Sequence, residues 1–253
     1  MEQILVSDRW PLWMNPNRVE HGWWSFWEKA RLAKTHQLVT EVIDTDPPVV
    51  YEIGAEEGDF PALYATWGAE VVLIEPSPFS WPQIRAHWEA NVDRPTAGWF
   101  VGLASDHDTD VVPEYDDRDL GLPRGAAGNS KSWPGWPECA YQEQRPEYGF
   151  RHIWEHFSNT RQKRLDTLIV SHGWPAPDLL CIDVEGAEGH VLRGATKTLE
   201  ETRPHVIISL HHEGMANLYQ TTAEEAVHEY MAKLGYTGTH LDTDHEDHWW
   251  FAP

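Results

Sequence analysis

Two cysteines, Cys139 and Cys181, are all that the 253 residues contain. A disulfide framework needs more, and Cys181 lies in an apolar run that reads as a buried strand. A reducing compartment, the cytoplasm, is therefore expected. Long apolar runs are missing as well. No stretch of eighteen uncharged apolar residues occurs, so no membrane-spanning helix is expected. The first ten residues lack the basic start and apolar run of a signal peptide. Basic side chains are scarce: 19 Lys and Arg stand against 41 Asp and Glu, for a formal net charge of −22. Such a surface repels a phosphate backbone, and no Lys/Arg cluster interrupts it, so nucleic acid is not an expected partner. The acidic excess itself reads as a solvated surface.

Tryptophan, in contrast, is abundant, with fifteen residues. Trp10, Trp13, Trp23, Trp24 and Trp27 cluster near the start, and Trp133, Trp136 and Trp154 in the middle. Such clusters serve either as packing anchors or as the wall of a binding site. Residues 1–46 read as a Trp-rich, helical N-terminal extension, with the helical pattern over 23–43 ended by Asp46-Pro47-Pro48. From residue 47 to 253 the pattern alternates. Short apolar strands at 49–53, 71–74 and 99–103 are separated by helices at 59–67 and 79–91. After an interruption come a helix at 165–172, a strand at 178–184, a helix at 186–202, a strand at 205–210, a helix to Leu234 and two last strands. This rhythm predicts an α/β domain with a largely parallel sheet covered on both faces. The interruption, 107–160, is rich in Gly, Pro, Asp and Trp and reads as a lid-like insertion or a disordered loop.

The turn Glu52-Ile-Gly54-Ala55-Glu-Glu-Gly58 follows a strand and opens a helix. Its glycines allow a ligand close to the backbone, and helix N-terminal N–H groups face it. Glu75 ends the next strand 21 residues after Gly54, the offset of a carboxylate that accepts both ribose hydroxyls. Pro76 and Ser77 follow it. The turn lacks a full G-x-G-x-x-G, so a nicotinamide dinucleotide is disfavoured. Ala104 and Ser105, where the third strand ends, are placed to hold a base. The expected cofactor contacts are thus Glu52, Gly54, Ala55, Gly58, Glu75, Pro76, Ser77, Ala104 and Ser105.

The last motif is Ile182-Asp183-Val-Glu185-Gly186-Ala-Glu188, two carboxylates at a strand's carboxyl end with a third one turn on. Together with Glu75-Pro-Ser-Pro78, Leu165-Asp-Thr-Leu168 and Val191-Leu-Arg-Gly-Ala195, it resembles the FkbM family of methyltransferases, over roughly residues 47–253. The resemblance implies a Rossmann-like class I methyltransferase fold: a seven-stranded, mostly parallel sheet with an antiparallel last strand. It implies S-adenosylmethionine as cofactor and methylation of a hydroxyl on a small molecule or glycan. A non-catalytic nucleoside-binding relative acting as a partner subunit is the alternative. His211-His212-Glu213 follow the next strand, beside Asp183 if the strand order is the family's. The catalytic candidates are Asp183, Glu185, His211 and His212. One histidine acts as a base, or Asp183, Glu213 and a histidine hold Mg²⁺ or another divalent cation, or the histidines are a partly exposed pair at a strand end. The tract Asp242-Thr-Asp-His-Glu-Asp-His248 looks like a metal sequence but reads better as a solvated hairpin turn.

Overall fold

The computed structural model describes residues 1–77, 80–109, 127–129 and 161–253. Most of the 107–160 insertion, with Cys139, Trp133, Trp136 and Trp154, and Pro78 of the Glu75 motif lie outside the described residues.

The chain does not begin helically. It opens with a hairpin of β1 (Glu2–Val6) and β2 (Trp10–Met14). Ser7 and Asp8 turn it with φ of +50° and +57°, the left-handed pair that matches the twist of two antiparallel strands. Along β2 burial alternates, so Trp10, Leu12 and Met14 face inward and Trp13 outward. The helical expectation for 1–46 holds only after Met14. A helix at Pro16–His21 is capped by Asn15, whose Oδ1 accepts from the Asn17 N–H at 3.1 Å. Trp23–Phe26 and Lys29–Gln37 follow, the last running into a π-turn at Leu38–Val42.

The main sheet uses β3 (Val49–Ile53), β4 (Glu70–Glu75), β5 (Gly98–Val101), β7 (Ala127–Asn129), β9 (Leu179–Ile182), β10 (His205–Leu210), β11 (Thr237–Thr243) and β12 (Asp247–Ala252). Their order is β11-β12-β10-β9-β3-β4-β5-β7. Strands β5, β4, β3, β9 and β10 run parallel, and β12 enters antiparallel between β10 and β11. This is the expected seven-stranded sheet. The three-residue β7 adds an antiparallel eighth strand at the far edge, from within the insertion. A short separate pair joins β6 (Leu103–Ala104) to β8 (Gln162–Lys163), so the third strand ends earlier than expected. Strands β3 and β9 are fully buried and apolar except for Glu52, as strands covered on both faces must be.

One face of the sheet packs against the hairpin and the helices Lys29–Gln37, Asp59–Thr66 and Trp81–Asn91, through Leu12, Leu32, Leu63 and Ile84. The other carries Leu165–His172, Glu188–Gly194, Thr196–Glu201 and Glu229–Lys233, through Leu168, Val191, Leu199 and Met231. The expected long helix at 186–202 breaks at Ala195. There a Cβ on Gly194 would lie 1.9 Å from the Ser105 carbonyl oxygen, so only glycine lets the helix approach that strand end. Among the described residues no helix is long and apolar enough to cross a membrane.

The chain turns back at β3: β4 and β5 lie on one side of it, β9 and β10 on the other. Such a reversal opens a crevice at the carboxyl ends of the strands. The hairpin belongs to the same core as the sheet. Leu12→Ala should therefore cost about 2–5 kcal/mol in denaturant unfolding. A loss under about 0.5 kcal/mol, the size of a surface change, would show the hairpin to be an appendage.

Candidate active site

Gly54 sits at the crevice with φ +91°, and the N–H groups of Gly54 and Ala55 donate to the Ile74 carbonyl at 2.9 and 3.1 Å. A Cβ on Gly54 would stand 1.7 Å from the Asp183 carbonyl oxygen. The cofactor turn therefore rests directly on the end of β9, and only glycine permits it. A cavity of about 470 Å³ opens over this contact. Of the expected cofactor residues, Glu52, Gly54, Ala55, Glu75, Pro76, Ser77 and Ala104 line it. Gly58 and Ser105 do not. Gly58 starts the helix Asp59–Thr66, and the Ser105 hydroxyl donates to Gln162 Oε1 at 2.9 Å.

Glu75 is buried at the end of β4. Its Oε1 accepts the Ser77 N–H at 2.7 Å, and its Oε2 the Glu56 N–H at 3.0 Å. Each oxygen keeps acceptor capacity for a further donor. Burial pushes this carboxyl up to about 8, although the two backbone bonds pull the other way.

The N-terminal segment supplies the cation of the site. Arg31, on the helix Lys29–Gln37, is completely buried. Its guanidinium donates to Asp183 Oδ2 at 2.7 Å, Ser209 Oγ at 3.1 Å, Glu28 Oε2 at 3.2 Å and Glu52 Oε1 at 3.2 Å. One charge cannot satisfy three carboxylates. Burial pushes both Glu28 and Glu52 up to about 8 against the pull of Arg31. Arg18 similarly bridges Glu56 and Asp59 beside the Gly54 turn. Trp27 lines the cavity, whereas Trp10 and Trp24 pack in or against the core. The early tryptophans thus serve both expected roles.

A second cleft, of about 750 Å³, lies beside the ends of β10 and β12 and shares Glu185, His245 and Glu246 with the first. His211 forms its floor. Its Nδ1–H donates to Glu188 Oε1 at 2.7 Å and its Nε2–H to Glu246 Oε1 at 2.9 Å, with Asp183 and Glu185 each 3.6 Å away. Burial opposes the charge, but these bonds outweigh it and carry the imidazole up to about 11. At neutral pH it is an imidazolium with no lone pair to accept a proton, which argues against the base expected there. His212 is exposed and pairs with Asp247 at 3.3 Å. Glu213 is exposed and lines the cleft, but it is not the partner of Asp183. The residues that converge on Asp183 are His211 and Glu246, their ligand atoms all within 4.8 Å of one another. Glu246 comes from the Asp242–His248 tract, which is a hairpin turn as read and also returns side chains to the site.

Arg31, Glu28 and Glu246 were not anticipated. Their partners lie up to 216 residues away, so no local pattern marks them. Only the histidine-rich tract carried a signal.

A cavity at the reversal of this sheet, floored by a glycine turn and walled by a strand-end carboxylate, is the arrangement of a nucleoside-cofactor site in an open α/β fold. The methyltransferase FkbM domain model matches residues 52–237, and the chain belongs to that family. That family is one of methyltransferases, whose cofactor is the S-adenosylmethionine expected from the sequence. The cavity fits that cofactor: Glu75 offers ribose acceptors and Gly54, without a Cβ, clears space. Solved structures resemble the chain weakly. Methyltransferase FkbM from Methylobacillus flagellatus KT has 15% identity over 85% of this chain and 47% of that one, with a TM-score of 0.49. The present chain thus spans about half of that protein. Precorrin-6y C5,15-methyltransferase from Geobacter metallireducens GS-15 has 10% identity over 88% and 86%, TM-score 0.43. Ribosomal protein L11 methylase from Lactobacillus delbrueckii subsp. bulgaricus has 11% over 88% and 78%, TM-score 0.42. No curated protein matches the chain significantly.

Because folding raises the Glu75 pKa, its ionisation costs stability as pH rises from the ordinary value of 4.5 to about 8. Glu75→Gln should thus melt at a higher temperature than the wild type at pH 8.5 without ligand, and nearly level with it at pH 4. Its affinity for S-adenosylmethionine should fall about 10- to 100-fold, the worth of a charge-assisted bond. Equal affinity, or a wild type more stable at pH 8.5, would contradict the assigned role.

Proposed function

We propose that the enzyme methylates a hydroxyl group of a small molecule or sugar, held in the cleft between the ends of β9 and β10. The observation that carries this reading is the junction of the two cavities at Glu185, His245 and Glu246. A cofactor on the Gly54 turn and an acceptor in the cleft meet there. Among the described residues no lysine or arginine lines the cleft, which favours a neutral polyhydroxylated acceptor over a phosphorylated one.

Bound S-adenosylmethionine supplies an electrophilic methyl group. The protein's part is to place the acceptor oxygen in line and take its proton. Glu185 is the base in this reading. It reaches both cavities, its side chain is about half exposed, and burial raises its carboxyl toward working pH. The hydroxyl proton passes to its carboxylate as the oxygen–carbon bond forms. Its backbone holds φ at +57°, a strained state for a non-glycine residue at a site where orientation matters. Contact with the helix His212–Tyr219 fixes that turn: a Cβ on Gly214 would lie 2.4 Å from the Glu185 carbonyl oxygen. The imidazolium of His211, 3.6 Å away, favours the ionised carboxylate. Asp183, His211 and Glu246 also favour a second reading, in which a divalent cation acidifies the hydroxyl.

Assayed against a panel of hydroxylated metabolites and sugars, the protein should release S-adenosylhomocysteine. The transferred methyl should be found on oxygen by NMR. Glu185→Gln should lower kcat about 10²–10⁴-fold while cofactor binding persists. Full activity of this variant would exclude Glu185 as base, and loss of wild-type activity to a chelator, restored by Mg²⁺, would favour the cation. A methyl found on nitrogen or carbon would overturn the hydroxyl assignment.

A further inference from the structure

The Asp242–His248 tract contributes more than Glu246. His245 and His248 converge on Glu28, from the opposite end of the chain, with ligand atoms all within 4.8 Å of one another. This group is separate from the one around Asp183. Glu28 is 4% exposed and His248 fully buried, so two of the three are not surface groups brought together by chance.

The ring orientations matter most. His245 Nδ1 lies 2.7 Å from Asp244 Oδ1, and the ring stacks on Trp27 at 4.4 Å between centroids. Its Nε2 is thereby directed at Glu28 Oε1, 3.5 Å away, and at Glu246 Oε1, 3.4 Å away. His248 Nδ1 lies 3.0 Å from Ser209 Oγ, and its Nε2 faces Glu28 Oε2 at 3.8 Å. Both imidazoles are thus held at Nδ1 by an oxygen and present Nε2 to one carboxylate. That is how histidines are prepared for a metal: the outer nitrogen is fixed by a second partner while the inner one ligates. Ligands about 2.1 Å from an ion in a tetrahedron stand about 3.4 Å apart. The separations of 3.5 and 3.8 Å need only a small closing movement.

We infer that Glu28, His245 and His248 bind a divalent transition ion of the zinc type, which clips the N-terminal segment to the β11–β12 hairpin. Two imidazole nitrogens and a carboxylate select Zn²⁺ or Mn²⁺ over Mg²⁺, which prefers oxygen alone. His248 Nε2 also lies 3.0 Å from Asp244 Oδ1, and this bond is given up on binding. Asp244 stays satisfied, because Oδ1 accepts the N–H groups of His245 and Glu246 and Oδ2 that of Glu28. Ser209 Oγ donates or accepts, so His248 shifts its hydrogen to Nδ1 as Nε2 takes the ion. Arg31 approaches Glu28 Oε2 at 3.2 Å and opposes the ion's charge, while Glu246, Asp244 and Asp183 favour it. Glu28 and His245 both line the cofactor cavity, so the ion completes its wall. This inference does not rest on the choice of acceptor.

The test uses the full-length chain without an affinity tag, stripped with chelator and titrated calorimetrically with Zn²⁺, Mn²⁺ and Mg²⁺. One equivalent of Zn²⁺ should bind with a Kd of about 1 µM or tighter, with a raised Tm and no competition from millimolar Mg²⁺. His245→Ala, at a partly exposed position, should weaken binding at least tenfold, and Glu28→Gln should do the same. Asp183→Asn should retain it. Absence of Zn²⁺ binding in the wild type would overturn the inference. So would binding unchanged in both His245→Ala and Glu28→Gln, or binding lost in Asp183→Asn but kept in His245→Ala, which would move the ion to the neighbouring group.

Discussion

One guanidinium, buried without access to solvent, holds the site together. Arg31 meets Asp183 of β9, Glu52 of β3, Ser209 of β10 and Glu28 at the start of its own helix. Two unit charges about 4 Å apart at a protein-like effective dielectric attract by about 4 kcal/mol, and each buried ion costs several in lost hydration. A lone cation among three carboxylates therefore comes near balance only while every partner is in place. Removing it would leave carboxylates facing one another in a closed space. The strand ends that line the cavity are in this sense positioned by a residue that lies before the segment matched by the family model, residues 52–237.

The charge that Arg31 leaves uncompensated shapes the rest of the site. Glu28 and Glu52 resist ionisation, and burial makes Glu75 do the same. His211 takes up the opposite role and is held as a cation by Glu188 and Glu246. Such walls receive positive charge readily. A sulfonium cofactor on the Gly54 turn and an ion between Glu28 and His245 both supply what the protein lacks.

Much of the frame was legible in the sequence because buried parallel strands are written as unbroken apolar runs. Val49–Ile53, Glu70–Glu75 and His205–Leu210 are such runs, and the spacing from Gly54 to Glu75 follows from the strand–helix–strand unit between them. The first hairpin was not legible: strands of five residues give too short an alternation to separate from a helix. Arg31 was not legible either, since its bond to Asp183 spans 152 residues. His211 was correctly placed beside Asp183, but its protonation depends on Glu188 and Glu246, which no linear pattern puts on its two nitrogens. The Asp242–His248 tract admitted two readings, turn or ligand set. A hairpin folded back over the strand ends lets it be a turn in backbone and a ligand set in side chains.

The dependence of the site on Arg31 is tested most directly by a double-mutant cycle on S-adenosylmethionine affinity, measured calorimetrically in Arg31→Met, Asp183→Asn and the double variant. If the guanidinium and Asp183 act as a compensating pair, Arg31→Met alone should weaken binding most, because it strands buried carboxylates. The double variant should recover part of the loss, with a coupling of about 1–3 kcal/mol. Additive effects within about 0.5 kcal/mol would show the two residues to act independently and would contradict the central place given to Arg31.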